Sequence, residues 1–174
     1  MRCFLALTLP DDIRSALTVQ QFLLPLPRKV PPEDFHLTLA FLGDADPARL
    51  EELHDRLERL RLPPPELRLD GLGLFGGGKP RSVHALIAKS DGLEHLQAKV
   101  EQAARMAGFA LEHRRFIPHV TLGRFSPPAA EVAMRIERLV AVTPLTSRTF
   151  TAPDVVLFQS RPSGYEVLAR YPLD

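Results

Sequence analysis

His36-Leu37-Thr38-Leu39-Ala40-Phe41 is echoed 83 residues later by His119-Val120-Thr121-Leu122-Gly123-Arg124, in a chain of 174 residues. Each copy runs histidine, apolar, threonine, apolar. Successive side chains of a strand leave opposite faces, so His36 and Thr38 share one face, as do His119 and Thr121, while the apolar pair of each copy enters the core. Two such strands facing each other would gather two imidazoles and two hydroxyls in one cleft. Free histidine titrates at about 6.5, so one imidazole can take a proton from water while the other gives one to a leaving oxygen. Threonine hydroxyls donate to the non-bridging oxygens of a phosphate. An in-line displacement needs the histidines on opposite sides of phosphorus, and two lobes related by a pseudo-twofold supply that without a metal ion. One His-x-Thr on a strand is commonly incidental; two copies at matching points of the two halves are not.

Outward from the motifs, the spacing predicts four helices. Pro10-Asp11-Asp12 opens one that runs to Leu24, with Ile13, Ala16, Leu17 and Leu24 at helical spacing. A second spans Pro47 to Leu60, with Leu50, Leu53, Leu57 and Leu60 on one face. A third runs from Gly92 to Ala107, and Pro127-Pro128 starts a fourth that ends near Val140. Cys3 to Leu9 reads as a buried first strand, and Pro25, Pro27, Pro31 and Pro32 impose an extended loop before the first motif. Alternation predicts strands over Leu67–Leu74 and Val83–Ile87, joined through Gly76-Gly77-Gly78-Lys79-Pro80, and further strands around Leu145–Phe150, Val155–Gln159 and Tyr165–Tyr171. Each half then holds a motif strand, a helix and further strands, an α+β order in two similar lobes.

Composition sets the outer bounds. Hydrophobic residues at 45% and charged residues at 25% suit a soluble globular protein, and a net charge of +1 implies no blanket affinity for nucleic acid. The cations are 18 Arg against 4 Lys; genomic base composition explains most of that bias, while Arg also grips phosphate with two parallel bonds where Lys offers a point charge. A single cysteine, Cys3, excludes an intrachain disulfide or a thiolate zinc cluster and agrees with a reducing cytoplasm. The apolar run at the start is too short to cross a bilayer and no cleavage site follows it, so no membrane segment or leader is expected.

Other candidate groups carry less. His54 and His95 lie in helical surroundings, and His113 sits in the polar run Glu112-His113-Arg114-Arg115, a solvated turn. His84, in an alternating strand, faces either the cleft or the solvent. No ligand spacing recommends a zinc site among these histidines. The Gly71 to Gly78 stretch lacks the Lys-Ser/Thr context of a phosphate loop, and Cys3 inside an apolar strand is an inert thiol. Strict alternation points Arg124 away from His119 and Thr121; a bulge at Gly123 would turn it back.

The motifs, together with Arg2-Cys3-Phe4-Leu5-Ala6-Leu7, Pro32-Glu33-Asp34-Phe35 before the first and Gly71-Leu72-Gly73-Leu74-Phe75, Pro118 and Gly164-Tyr165-Glu166-Val167-Leu168, resemble the two-histidine (2H) phosphoesterase superfamily. The likeness is closer to its RNA 2′,3′-cyclic phosphodiesterase branch, also called LigT-like or 2′-5′ RNA ligase, and covers nearly the whole chain. It implies one bilobal domain over residues 1–174, with two antiparallel sheets lining a central cleft and helices outside. It also implies metal-independent, cofactor-free hydrolysis of an RNA 2′,3′-cyclic phosphate end to a 2′-phosphomonoester by a cytoplasmic monomer, and 2′-5′ joining of tRNA halves as the reverse reaction. Carried over by motif, His36 resembles the general acid and His119 the general base. Thr38, Thr121 and Arg124 resemble phosphate-holding groups. The chain lacks the tryptophan of some relatives, which leaves base stacking to a Phe or to His84. The alternatives are a phosphodiesterase for cyclic nucleotides or cyclic-phosphate metabolites, and a non-catalytic nucleotide- or RNA-binding module that uses the same cleft.

Overall fold

A computed structural model describes residues 1–76, 81–125 and 130–174. Its strands are β1 (Arg2–Thr8), β2 (Arg28–Lys29), β3 (His36–Asp44), β4 (Leu69–Phe75), β5 (Ser82–Ile87), β6 (His119–Arg124), β7 (Asp154–Arg161) and β8 (Gly164–Pro172). Its helices are α1 (Asp11–Leu23), α2 (Pro47–Arg59), α3 (Asp91–Met106) and α4 (Ala130–Val142), with a 3-10 turn at Pro32–Asp34. The helices start where their chemistry says they should. Asp46 accepts a bond from the Arg49 amide ahead of α2, with Pro47 at its first position, and Ser90 does the same for Leu93 at α3. Each helix lays one apolar stripe on the core: Leu53 and Leu57 from α2, Leu93, Leu96 and Val100 from α3, Ile13 and Leu17 from α1. The predicted start of α4 at Pro127-Pro128, and most of the glycine turn between β4 and β5, lie outside the described residues.

The sheet runs β4-β5-β6-β3-β1-β7-β8, antiparallel throughout, with β2 added beside β6. The two expected sheets are thus one path with a narrow seam: β3 and β6 pair only at Leu37 opposite Val120. Nor does each half of the chain build one side of the seam. The side holding β3 takes β1 from the start of the chain and β7 and β8 from its end, while β4, β5 and β6 come from the middle. Cys3, Leu5 and Leu7 of β1 join the main core, and Phe4 and Ala6 join a smaller cluster with Val156 and Phe158 on the opposite face. With both faces buried, β1 needs a ladder on each edge, and β7 supplies the second.

The expected strand at Leu145–Phe150 is absent. Only isolated bridges form there, Phe150 with Leu67 and Thr146 with Asp70. Between them the Ser147 hydroxyl accepts the Leu69 amide at 3.0 Å, so a side chain takes the place of the ladder's main-chain carbonyl.

Both motif strands carry a β-bulge at the same point of the repeat. Opposite β1, Leu39 is an extra residue between Thr38 and Ala40; opposite β5, Leu122 is extra between Thr121 and Gly123. The bulged Leu122 carbonyl is well satisfied, accepting the Val30 amide at 3.0 Å and the buried Gln21 side-chain amide at 2.7 Å. Gly123 is required by what crosses it: a Cβ there would stand 2.8 Å from Leu26 Cδ1 and 3.0 Å from the Arg28 carbonyl. Gly123→Ala is therefore expected to cost about 1–3 kcal/mol in urea unfolding, the price of overpacking, because β2 must be pushed off β6. A neutral substitution would show that β2 yields freely.

Candidate active site

The two bulges decide which side chains meet. Beyond the Leu122 bulge, Arg124 pairs with Ser82, and Thr121 pairs with His84 two residues along β5, so Arg124 returns to the face of Thr121 and His119. The alternation conflict is resolved as expected in kind, though the extra residue is Leu122, and Gly123 serves the close approach of β2. The pairing of Leu37 with Val120 sets His36 level with Thr121 and Thr38 level with His119 across the seam.

Both imidazoles are held in the same way. His36 Nδ1–H donates to the Asp34 carbonyl at 2.7 Å, and His119 Nδ1–H donates to the Ile117 carbonyl at 2.6 Å. These carbonyls again lie 83 residues apart. Each bond fixes the tautomer and leaves Nε2 as the basic nitrogen. The two sites differ at that nitrogen: Thr38 Oγ1 lies 3.0 Å from His36 Nε2, whereas Thr121 bonds to His84 instead. Burial lowers the pKa of His36 to about 4, against the Asp34 bond that raises it, with Arg124 and His119 lowering it further. His119 is lowered too, first by burial and then by Arg124, against its own carbonyl bond.

A cavity of about 230 Å³ opens over this face. His36, Thr121 and Arg124 line it, and so do Arg28, Lys29 and Tyr165, which the sequence reading did not single out for the site. Thr38 and His119 are not among its lining residues: Thr38 bonds to His36, and His119 packs against the rings of Phe75 at 4.7 Å and His84 at 4.4 Å. Arg28 is the cross-strand neighbour of Arg124. Like charges placed so repel each other, and among the described residues neither is ion-paired to a carboxylate. The dibasic pair Arg28-Lys29 set among prolines was the available signal for this wall. Asp34 also lines the cavity, and burial raises its carboxyl. On the other flank, Phe4 packs against His36 at 4.8 Å and Tyr165 stands edge-on to it at 5.2 Å.

The remaining histidines separate cleanly. His54 bonds to the Tyr171 hydroxyl at 3.0 Å on α2, and His95 and His113 are exposed. His84 faces the cleft side but is only 3% exposed, so it cannot offer a face to a base. Cys3 is buried and its thiol pKa is raised by that burial, as an inert thiol requires. Among the described residues no group of three or more His, Cys, Asp or Glu is placed to hold a metal ion, and no helix is long and apolar enough to cross a membrane.

The family model described as the 2′-5′ RNA ligase superfamily matches residues 9–161. Similar curated proteins include the RNA 2′,3′-cyclic phosphodiesterase of Geobacillus stearothermophilus, 33% identical over an aligned span of 156 positions, with 86% of this chain and 49% of that protein covered. This chain thus spans about half the length of that relative. The protein of the same description from Thermus thermophilus is 38% identical over 76% of this chain and 72% of its own. Among solved structures, TT0787 of Thermus thermophilus superposes with a TM-score of 0.77 at 31% identity, covering 99% of this chain and 97% of that one. E. coli LigT complexed with 3′-AMP gives a TM-score of 0.79 at 27% identity, with coverage of 99% and 97%.

An anion in the cavity would favour both imidazolium forms. By NMR titration of the free protein, His36 is expected to titrate near 4 and His119 below the ordinary 6.5, and saturating inorganic phosphate should move both upward. A His36 that titrates at 6.5 or above in the free protein would contradict its burial.

Proposed function

The chain belongs to the 2′-5′ RNA ligase superfamily, and on that premise we propose that it hydrolyses RNA ends bearing a 2′,3′-cyclic phosphate to 2′-phosphomonoesters, as a single catalytic domain over residues 1–174. The observation that carries this reading is the pair of His-x-Thr strands joined at Leu37 and Val120, each with its imidazole Nδ1 tied back and its Nε2 turned to the cavity face. The names of the similar curated proteins support it.

In the proposed reaction, His119 takes a proton from water as the water oxygen bonds to phosphorus. The bond from phosphorus to O3′ breaks, and His36 gives that oxygen its proton. The product carries a 2′-phosphate and a 3′-hydroxyl, and exchange with solvent returns both histidines to their starting states. The differing Nε2 environments support this division of roles. Among the hydrogen bonds of the described residues, none engages His119 Nε2, which leaves its lone pair for water. His36 Nε2 has Thr38 beside it, a hydroxyl that donates to the neutral ring and accepts from the protonated one, so either state is satisfied. Thr121, Thr38 and the Arg124 guanidinium hold the non-bridging oxygens, with Arg28 and Lys29 extending the positive wall along the RNA backbone. Both proton carriers are side chains of the protein, so the step needs no metal or cofactor. Joining RNA halves through a 2′-5′ linkage would use the same displacement, with an RNA 5′-hydroxyl attacking phosphorus in the place of water and O3′ leaving as before; tRNA halves are the substrates proposed for it. A cytoplasmic monomer completes the proposal.

Purified, EDTA-treated protein incubated with a short RNA ending in a cyclic phosphate is expected to yield a 2′-phosphate, identified by mass and by phosphatase sensitivity. A 3′-phosphate would reverse the direction of attack, and binding without turnover would favour the non-catalytic reading. His36→Ala and His119→Ala should each lower kcat by about 10²–10⁴ with the fold intact by circular dichroism.

The pH dependence has a definite sign. The productive free enzyme needs one histidine protonated and one neutral, and both titrate below 6.5. The bell-shaped profile of kcat/KM should therefore peak on the acid side of that value. The bound phosphodiester raises both groups, so the kcat profile should peak at higher pH than kcat/KM. Coincident profiles would mean that the substrate charge does not reach the histidines.

A further inference from the structure

We propose that His84 is a positioning residue that aims the Thr121 hydroxyl proton into the cavity; the proposal rests on the phosphate-holding role of Thr121 given above. His84 and Thr121 are cross-strand partners on β5 and β6, and His84 Nδ1 lies 3.2 Å from Thr121 Oγ1. On its other side, His84 Nε2 lies 2.7 Å from the Ser82 hydroxyl. The ring is fixed in plane by Phe75 at 4.0 Å and His119 at 4.4 Å, and is 3% exposed. It cannot turn to solvent, and both nitrogens are engaged.

A neutral imidazole has one donor and one acceptor, so the three side chains can be wired in two ways. With the proton on Nε2, His84 donates to Ser82 and accepts the Thr121 proton. Thr121 then shows the cavity only lone pairs, which repel an anion. With the proton on Nδ1, Ser82 donates to Nε2, Nδ1–H donates to Thr121 Oγ1, and the Thr121 proton is left to point at a phosphate oxygen. An anion in the cavity selects the second wiring. Burial, followed by the charges of His119 and Arg124, lowers the His84 pKa to about 3, so the ring stays neutral and keeps one acceptor for Ser82.

The first motif has no such chain. The β1 partner of Thr38 is Ala6, and the Thr38 hydroxyl bonds to its own histidine. His84 thus makes the two threonines unequal: Thr38 divides its hydroxyl between the ligand and the Nε2 of His36, while Thr121 is freed from His119 and given wholly to the ligand.

Five proteins test this: wild type, His84→Phe, His84→Asn, Thr121→Val and the double variant His84→Phe/Thr121→Val, which closes a cycle. Phenylalanine keeps the ring packing and removes both nitrogens; asparagine loses the packing but can present an N–H where Nδ1 stands. A hydrogen bond to a charged group is worth roughly tenfold or more. His84→Phe should therefore lower kcat/KM by roughly tenfold, His84→Asn should recover most of it, and His84→Phe should cost nothing further once Thr121 is valine. A packing role alone predicts the opposite, with phenylalanine tolerated, asparagine damaging and losses that multiply in the double variant; that result would overturn the proposal. Calorimetric titration with inorganic phosphate reads the same order in Kd without turnover. If wild type binds phosphate in the expected order yet hydrolyses no cyclic phosphate, the reaction assignment fails and the positioning role stands. Turnover by wild type with the order reversed removes the positioning role alone.

Discussion

One buried residue pair, Leu37 opposite Val120, ties the two sides of the sheet together, and the geometry of the cleft depends on it. An antiparallel pair has a local twofold axis through its midpoint. Because the paired residues are separated by the same 83 positions as the motifs, that axis relates each residue of one motif to its counterpart in the other. His36 and His119 therefore come to diagonal corners without any further device. The likeness extends outward to the carbonyl two residues before each histidine and to the bulge one residue after each threonine. A slip of one residue in this register would put His36 and Thr38 on the face opposite to that of His119 and Thr121.

The symmetry stops where binding begins. At matching positions beyond the two bulges stand Phe41, 67% exposed, and Arg124 in the cavity wall. On one side of the seam the buried rings of Phe4 and Phe158, with Tyr165, back His36; on the other stand cations, Arg28 and Lys29 of β2 beside Arg124. The mutual repulsion of Arg28 and Arg124 is already present in the empty fold, so a bound anion relieves it instead of having to assemble it.

Local chemistry made most of this legible in the sequence. Helix starts follow from Pro47, Asp46 and Ser90, and the motif faces from strict alternation through His36–Leu39 and His119–Leu122. Non-local chemistry did not. Which strands flank β1 is decided by the need to bury both its faces, and nothing near Arg2–Thr8 names β7 as the partner. Strand β2 is two residues long and exists by its pairing with β6, far away in the chain, a pairing that the Val30 amide extends to the Leu122 carbonyl. The segment Leu145–Phe150 alternates like a strand, yet the Ser147 hydroxyl occupies the bond a ladder needed. His84 looked free to face either way, because its burial comes from Phe75 and His119 across two strand boundaries.

The interleaving of the sheet has a consequence for the order of synthesis. Strand β1 emerges first, but its second edge is covered only by β7, which follows residue 153. Until then a nascent chain carries an apolar strand with an open edge, the arrangement most prone to pairing with a neighbour. The half of the cleft built around His36 therefore rests on a strand whose second edge stays open until β7 has been made.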